Sequence, residues 1–245
     1  MEHSEYSTLY ELEDTYWWYV GRRSIFETFL EKYAPPPGLT VDIGCGTGAN
    51  LAVLKRFSKL TLGFDVSQSA VDYCRRRGFL NVKVILPDAP LPLDPEQTQL
   101  ITLFDVLEHA ADDEAMLSQV YKGLQPGGVL MISVPAYQFL WSEHDEALHH
   151  FRRYNRSELT RKLEDTGFHI VRASYAIVFS CPIIIVYRGL KGLLNKVIRS
   201  RRRTSHVRLP VPLNAFFILL LKCEAVLLRY LNFPFGTSIV VVAKK

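Results

Sequence analysis

The segment VDIGCGTGAN, residues 41–50, constrains this chain more than any other stretch, because it sets Gly44, Gly46 and Gly48 where an apolar β-type run gives way to a helix-type run. Glycine tolerates the positive φ of a tight turn, and it lets the backbone approach a ligand where a Cβ would occupy the ligand's volume. A strand, a glycine loop and a helix in succession belong to a parallel sheet with crossover helices. The rest of the chain repeats that alternation: LTVDIG (39–44) is followed by LTLGFDV (60–66), VKVIL (82–86), LITLFDV (100–106) and VLMISVP (129–135) as strands. Asp112 to Leu124 reads as an amphipathic helix, with Met116, Leu117, Val120, Tyr121 and Leu124 on one face and acidic residues at its start. Beyond it come a helix over Ser157–Thr166, a strand over His169–Val178 and a last strand over Thr237–Ala243. The expected fold is α/β: a Rossmann-like sheet of seven strands, mostly parallel with an antiparallel last strand, helices on both faces and a helical insertion between the last two strands. Residues 1–38 are expected to form a helical lid, residues 39–178 and 237–245 the ligand-binding core, and residues 179–236 the insertion.

Composition removes several other classes. With 245 residues, 48% of them apolar, the chain can bury a large core, which excludes disorder and small disulfide scaffolds. Cys45, Cys74, Cys181 and Cys223 form no C-x-x-C pair, so neither a zinc knuckle nor a redox pair is expected. The start, MEHSEYSTLYELEDTYWW, is acidic and lacks an apolar signal core, which points to the cytoplasm. The formal charge of +4 conceals a split: residues 1–150 hold 11 Lys and Arg against 21 Asp and Glu, whereas residues 151–245 hold 18 against 4. A basic half of that kind suits an anionic partner. Its uncharged runs fall short of the ~18 residues of a span, and Lys222 interrupts the second, so lying on a membrane surface is the expectation rather than crossing it.

Three carboxylates say what the glycine loop could hold. Asp65 ends the second strand, where it can accept hydrogen bonds from a ribose diol, and Asp88 ends the third in PDA, within reach of an adenosine. Asp42, just ahead of Gly44, would repel a pyrophosphate and attract a sulfonium or ammonium. The loop alone also fits the G-x-G-x-x-A variant of dinucleotide folds, which leaves an NAD-type or nucleotide-sugar oxidoreductase as an alternative. Taken in order, VDIGCGTG, GFDVS, PDA, FDVLEH and LQPGGVLMISVP resemble the motifs of class I S-adenosylmethionine-dependent methyltransferases over about Thr40–Pro135. The stretch SEHDEALHHFRRYNRSEL is similar to a type 11/12-like subgroup found among bacterial enzymes of cell-envelope, lipid and saccharide biosynthesis. The resemblance implies S-adenosyl-L-methionine as cofactor, with Asp42, Gly44, Gly46, Gly48, Asp65, Val66, Asp88, Ala89, Asp105 and Val106 around it. It implies methyl transfer to an oxygen or nitrogen of a small-molecule or lipid-linked acceptor. A catalytically inactive cofactor-binding partner protein is the non-enzymatic alternative.

The acceptor side rests on histidines and arginines. His109, in DVLEH, lies just past the fourth strand and is the first candidate for a general base, or else caps a helix. His144 and His150 are further catalytic candidates that could orient an acceptor hydroxyl. Asp145, His149, Arg152, Arg153 and Tyr154 would build the substrate pocket, the arginines holding a phosphate or carboxylate. No metal is expected, because no spaced His pair with a second carboxylate stands out in that stretch. Trp18, in the YWWYVGRR segment, would join the substrate side from the lid. The insertion combines LNAFFILLLKCEAVLLRYL with the tract RSRRRTSHVR, which suits an anionic membrane surface or a lipid-linked acceptor. Nucleic acid is not expected, since no aromatics interleave with the arginines.

Overall fold

Of five runs rich in Leu, Ile and Val, the first, fourth and fifth supply strands buried on both faces, and helices must therefore cover both sides of the sheet they form. In the computed structural model, which describes residues 3–87, 89–179, 181–182 and 209–245, they do. Two N-terminal helices, α1 (His3–Leu12) and α2 (Trp17–Tyr33), precede β1 (Leu39–Ile43), α3 (Ala49–Leu54), β2 (Leu60–Asp65), α4 (Gln68–Arg76) and β3 (Val82–Val84). Then come β4 (Thr98–Phe104), α5 (Asp113–Gly123), β5 (Val129–Pro135), the short α6 (Glu143–Ala147), α7 (Arg156–Thr166), β6 (His169–Ala176), α8 (Val211–Leu228) and β7 (Ser238–Lys244). The sheet has seven strands in the order β3-β2-β1-β4-β5-β7-β6. The first five run parallel, and β7 is antiparallel to both neighbours, β5 and β6. Strand order reverses at β1 and β4, and outside the carboxyl ends of strands at such a point the chain leaves a crevice.

Alternation along the strands divides the core in two. Val41 and Ile43 of β1, with Ile101 and Leu103 of β4, pack under α5 and α7 through Leu117, Val120, Leu159 and Leu163. On the other face α2 contributes Ile25, Phe26, Phe29 and Leu30, beside Leu221, Ala225 and Leu228 of α8. Caps agree with the sequence: Asp112 accepts a hydrogen bond from the Ala115 amide at 2.9 Å, and Asn155 with Glu158 forms a capping box on α7, which ends at Gly167 with φ +111°.

The helical part of the insertion is more firmly attached than its composition suggests. Glu224 of α8 is fully buried and accepts hydrogen bonds from the backbone amides of Ile177, Val178 and Phe179, closing the end of β6. Asn214 accepts from the Trp17 amide and donates to the Thr15 carbonyl, so α8 also caps the start of α2. The helix has 18 residues and a mean hydropathy of 1.9, enough by length and composition to cross a membrane, where the uncharged run alone falls short. Its arginine tract, residues 199–208, lies outside the described residues.

Candidate active site

At the end of β1 the chain turns because the amides of Gly44 and Cys45 both donate to the Phe64 carbonyl, at 2.7 and 3.0 Å. Gly44 and Gly48 carry φ of +72° and +94°. A Cβ on Gly44 would lie 2.3 Å from the Val106 side chain, and one on Gly48 would lie 3.1 Å from the Cys74 sulphur. The protein's own packing, rather than ligand volume, therefore demands glycine at these two positions. Gly46 differs: a Cβ there meets only Leu9, at 3.7 Å, so this part of the loop faces open space.

That space is a cleft of about 1450 Å³ running across the carboxyl ends of the parallel strands. Gly44, Gly46, Asp65, Val66, Ala89, Asp105 and Val106 line one end of it. Asp65 accepts hydrogen bonds from the Gly46 and Ser67 amides, each at 2.9 Å, and from the Tyr6 hydroxyl at 3.4 Å. Burial raises its carboxyl above the usual range, while the two amides act against the shift. Thr47 of the loop donates to Glu13, which is also bound by Arg77 at 2.7 Å, so the N-terminal segment clamps the glycine loop.

Two expected cofactor contacts lie elsewhere, and a third falls outside the described residues. Asp42 faces into the sheet, accepting from the Thr102 hydroxyl at 2.6 Å, because β1 places it opposite Thr102 and not at the strand end. Burial pushes its carboxyl up to about 7, so it is no fixed negative charge beside the loop. Gly48 packs against α4 and does not line the cleft. Asp88 lies outside the described residues. At the glycine-loop end, Asp65 and Asp105 are the carboxylates at the strand ends that line the cleft. Asp105 has a φ of +58°, accepts from the Ser133 hydroxyl at 2.8 Å and is ion-paired to Arg22. The Arg22 guanidinium lies 4.1 Å from the Trp18 ring centroid, and burial lowers it to about 10.

The other end of the cleft joins two segments that are far apart in the chain. A single 3-10 turn, Leu107–His109, presents Glu108 and His109, and the loop after α6 presents His149 and His150. The rings of His109 and His150 meet edge to face, with centroids 4.6 Å apart. His150 Nδ1 is 3.0 Å from Asp145 Oδ1, an oxygen that also accepts from Arg153 Nε at 2.7 Å. The other Asp145 oxygen accepts from the Ser142 amide at 2.9 Å. Asp145 is thus a buried anchor that orients His150 and does not itself line the cleft.

Glu108 is fully buried, and neither of its carboxylate oxygens has a hydrogen-bond partner among the described residues. Burial pushes its carboxyl up to about 8. His109 is lowered to about 3, by burial first and then by the neighbouring His150. Its imidazole is therefore held in the neutral form.

Burial also sorts the expected substrate residues. Tyr154 is a core residue whose hydroxyl donates to Asp113 at 2.9 Å, and Arg152 pairs with Asp113 at 3.0 Å and donates to the Ala111 carbonyl. Neither lines the cleft. Arg153 reaches its wall but is buried, with its donors directed at Asp145 and the Ala136 carbonyl, so it is not a free anion holder. His144, His149, His150 and Trp18 do line the cleft. The residues that sequence reasoning passed over are Glu108, visible only as the letter before His109, and Tyr6 and Glu13 of the N-terminal segment.

A model of the methyltransferase-domain family matches residues 22–173. A probable S-adenosylmethionine-dependent methyltransferase of Mycolicibacterium smegmatis is 26% identical over 166 residues, which are 66% of this chain and 63% of that protein. A ubiquinone biosynthesis O-methyltransferase of Coxiella burnetii is 26% identical over 148 residues, 54% of this chain and 63% of that one. The matched stretch thus spans less than two thirds of either relative's length. The crystal structure of a SAM-dependent methyltransferase from Archaeoglobus fulgidus superposes with a TM-score of 0.58 at 17% identity, covering 91% of this chain and 94% of the other, a likeness of fold.

Proposed function

The chain belongs to the methyltransferase-domain family of class I S-adenosylmethionine-dependent proteins, and on that premise we propose that it transfers a methyl group to an oxygen or nitrogen of a small-molecule or lipid-linked acceptor. The observation that carries this reading is that one cleft joins the glycine loop and Asp65 to the corner formed by Glu108, His109 and His150. Dinucleotide oxidoreduction and an inactive partner protein are not favoured beside it.

Gly44, Gly46, Asp65, Val66, Ala89, Asp105 and Val106 would hold the cofactor. Open space at Gly46 fits it, and so does the Tyr6 hydroxyl on Asp65, which stands where a ribose hydroxyl would donate. When bound, S-adenosylmethionine supplies a methyl group on a sulfonium sulphur, an electrophile that needs no further activation. What remains for the protein is positioning and the handling of one proton. Holding the acceptor atom ~3 Å from its target can be worth several kcal/mol. His144, His149 and Trp18 are in place to form the acceptor pocket, and His150, oriented by Asp145, faces the atom that gains the methyl group. The N-terminal segment would act as the lid, since Tyr6 and Leu9 lie against the loop and Trp18 and Arg22 line the cleft. The test is incubation of cell extract with the enzyme and deuterated S-adenosylmethionine, followed by mass spectrometry. Label in a small-molecule or lipid fraction is expected; cofactor binding without label in any fraction would refute the assignment.

A lipid-linked acceptor is favoured by α8, which leaves Val211, Phe216, Leu219 and Val226 exposed, with Tyr230 and Leu231 just beyond it. With the five arginines of residues 199–208, each worth about 1 kcal/mol near an anionic leaflet, this face would dock the enzyme peripherally on the inner side of a membrane. Deleting residues 179–236 is a poor test, because Glu224 and Leu221 would leave the core with them. The double variant Phe216→Ser, Leu219→Ser keeps the buried face. It should co-sediment with anionic vesicles less than wild type, and equal binding would end the idea.

A further inference from the structure

We propose that Glu108, His109 and His150 bind a divalent transition-metal ion at the acceptor end of the cleft. The proposal uses the methyl-transfer reading for what the ion does, but not for whether it binds. Each of the three residues offers one ligand atom, and these atoms all lie within 4.8 Å of one another. An ion bonded at about 2.1 Å to each needs them no more than ~4.2 Å apart, so modest side-chain rotation closes the site.

Glu108 supplies the independent observation. It has no exposed surface, and neither carboxylate oxygen has a hydrogen-bond partner among the described residues. A carboxylate buried in this way is costly unless a cation or donors compensate it. The two nearby guanidiniums are committed elsewhere: Arg22 pairs with Asp105, and Arg153 with Asp145 and the Ala136 carbonyl. A metal ion taking the place of a proton would supply the partner that these two oxygens lack.

His150 has the outer contact that a ligating imidazole needs. Asp145 holds His150 Nδ1 at 3.0 Å, which leaves Nε2 toward the cluster, and the His109 ring lies edge to face with the His150 ring at 4.6 Å. A carboxylate or carbonyl behind the second nitrogen fixes the tautomer and raises ligand basicity. Two imidazoles and one carboxylate select a first-row transition ion over Mg²⁺ or Ca²⁺, which prefer all-oxygen shells. Three protein ligands leave a coordination position open to the cleft, the arrangement of catalytic sites. An ion there would act as a Lewis acid on an acceptor hydroxyl, whose proton would pass to solvent in the open cleft while the oxygen takes the methyl group and the S–CH3 bond breaks to leave a neutral thioether. The sequence conceals the site because the Glu-His pair and its third ligand are 41 residues apart, joined only when the loop after α6 folds onto the 3-10 turn.

The test is titration of chelator-treated full-length protein with Co²⁺, read by its visible ligand-field absorption, with calorimetry of S-adenosylhomocysteine on the same samples. Wild type should bind Co²⁺ at one site and release it to Zn²⁺. Glu108→Gln and His150→Ala should each lose the band, and Asp145→Asn should bind roughly 10- to 100-fold more weakly. His169→Ala, an exposed histidine on β6, should bind as wild type does. Wild type that binds S-adenosylhomocysteine but shows no band overturns the proposal, as does a band that survives in both Glu108→Gln and His150→Ala. A band without S-adenosylhomocysteine binding supports the metal site and overturns the methyl-transfer reading instead.

Discussion

The two ends of the cleft treat buried carboxylates in opposite ways. At the glycine loop, Asp65 is met by two backbone amides and a hydroxyl, and Glu13 by Thr47 and Arg77, so the charges there are spent on fixing the loop. At the histidine corner, Asp145 is equally well met, yet neither carboxylate oxygen of Glu108 beside it has a hydrogen-bond partner among the described residues, and the charges of Arg22 and Arg153 act on it from nearby. Networks that satisfy every group make rigid scaffolding, whereas a deliberate gap in one marks where something from outside completes it. On the proposal above, the contrast separates groups that hold the site together from a group that takes a ligand.

The largest effect expected from breaking this contrast is on the scaffolding side. Asp145→Ala leaves the Arg153 guanidinium buried without its carboxylate, and such a loss costs about 3 to 5 kcal/mol, so chemical denaturation should show a marked fall in stability. Gly44→Ala comes next. It imposes a side chain on a φ of +72° against Val106, at about 1 to 3 kcal/mol for the backbone alone. Calorimetry should show S-adenosylhomocysteine binding abolished in this variant.

At the cofactor end, Asp65→Ala removes an acceptor for a ribose, and charge-assisted hydrogen bonds of about 1.5 to 3 kcal/mol imply an affinity about 10- to 100-fold weaker. Glu108→Gln sharpens the comparison from the other side: S-adenosylhomocysteine affinity should stay within about twofold while methyl transfer is lost. Equal damage to cofactor binding by the two variants would mean that the ends are not functionally separate.

The smallest effect is in pH dependence. Asp42 has its folded pKa raised to about 7 by burial, so the folded chain binds more protons there than the unfolded chain. Stability must therefore fall as pH rises from about 4 toward 7 at this group's expense. Asp42→Asn removes that loss, and its denaturation midpoint should fall less than wild type's between pH 5 and pH 8.

Much of this was legible in the sequence, and the illegible part has a common cause. The strand-loop-helix unit at Gly44 and the acidic residues at the ends of β2 and β4 are local patterns, and they line one end of the cleft. The stretch HDEALHHFRRY is uniformly rich in chemistry, and its composition could not say that Arg152 and Tyr154 turn inward to Asp113 while His149 and His150 turn to the cleft. Only burial decides that. Glu224 read as one polar letter in an apolar helix, although it anchors three backbone amides. Glu108 was likewise silent, since the absence of a partner is a fact of three dimensions.

Calorimetric titration of the wild-type chain with S-adenosylmethionine, repeated with NAD, tests the account most directly. The account predicts one S-adenosylmethionine site per chain, displaced by S-adenosylhomocysteine, and no heat from NAD. Saturable NAD binding with no response to S-adenosylmethionine would contradict it.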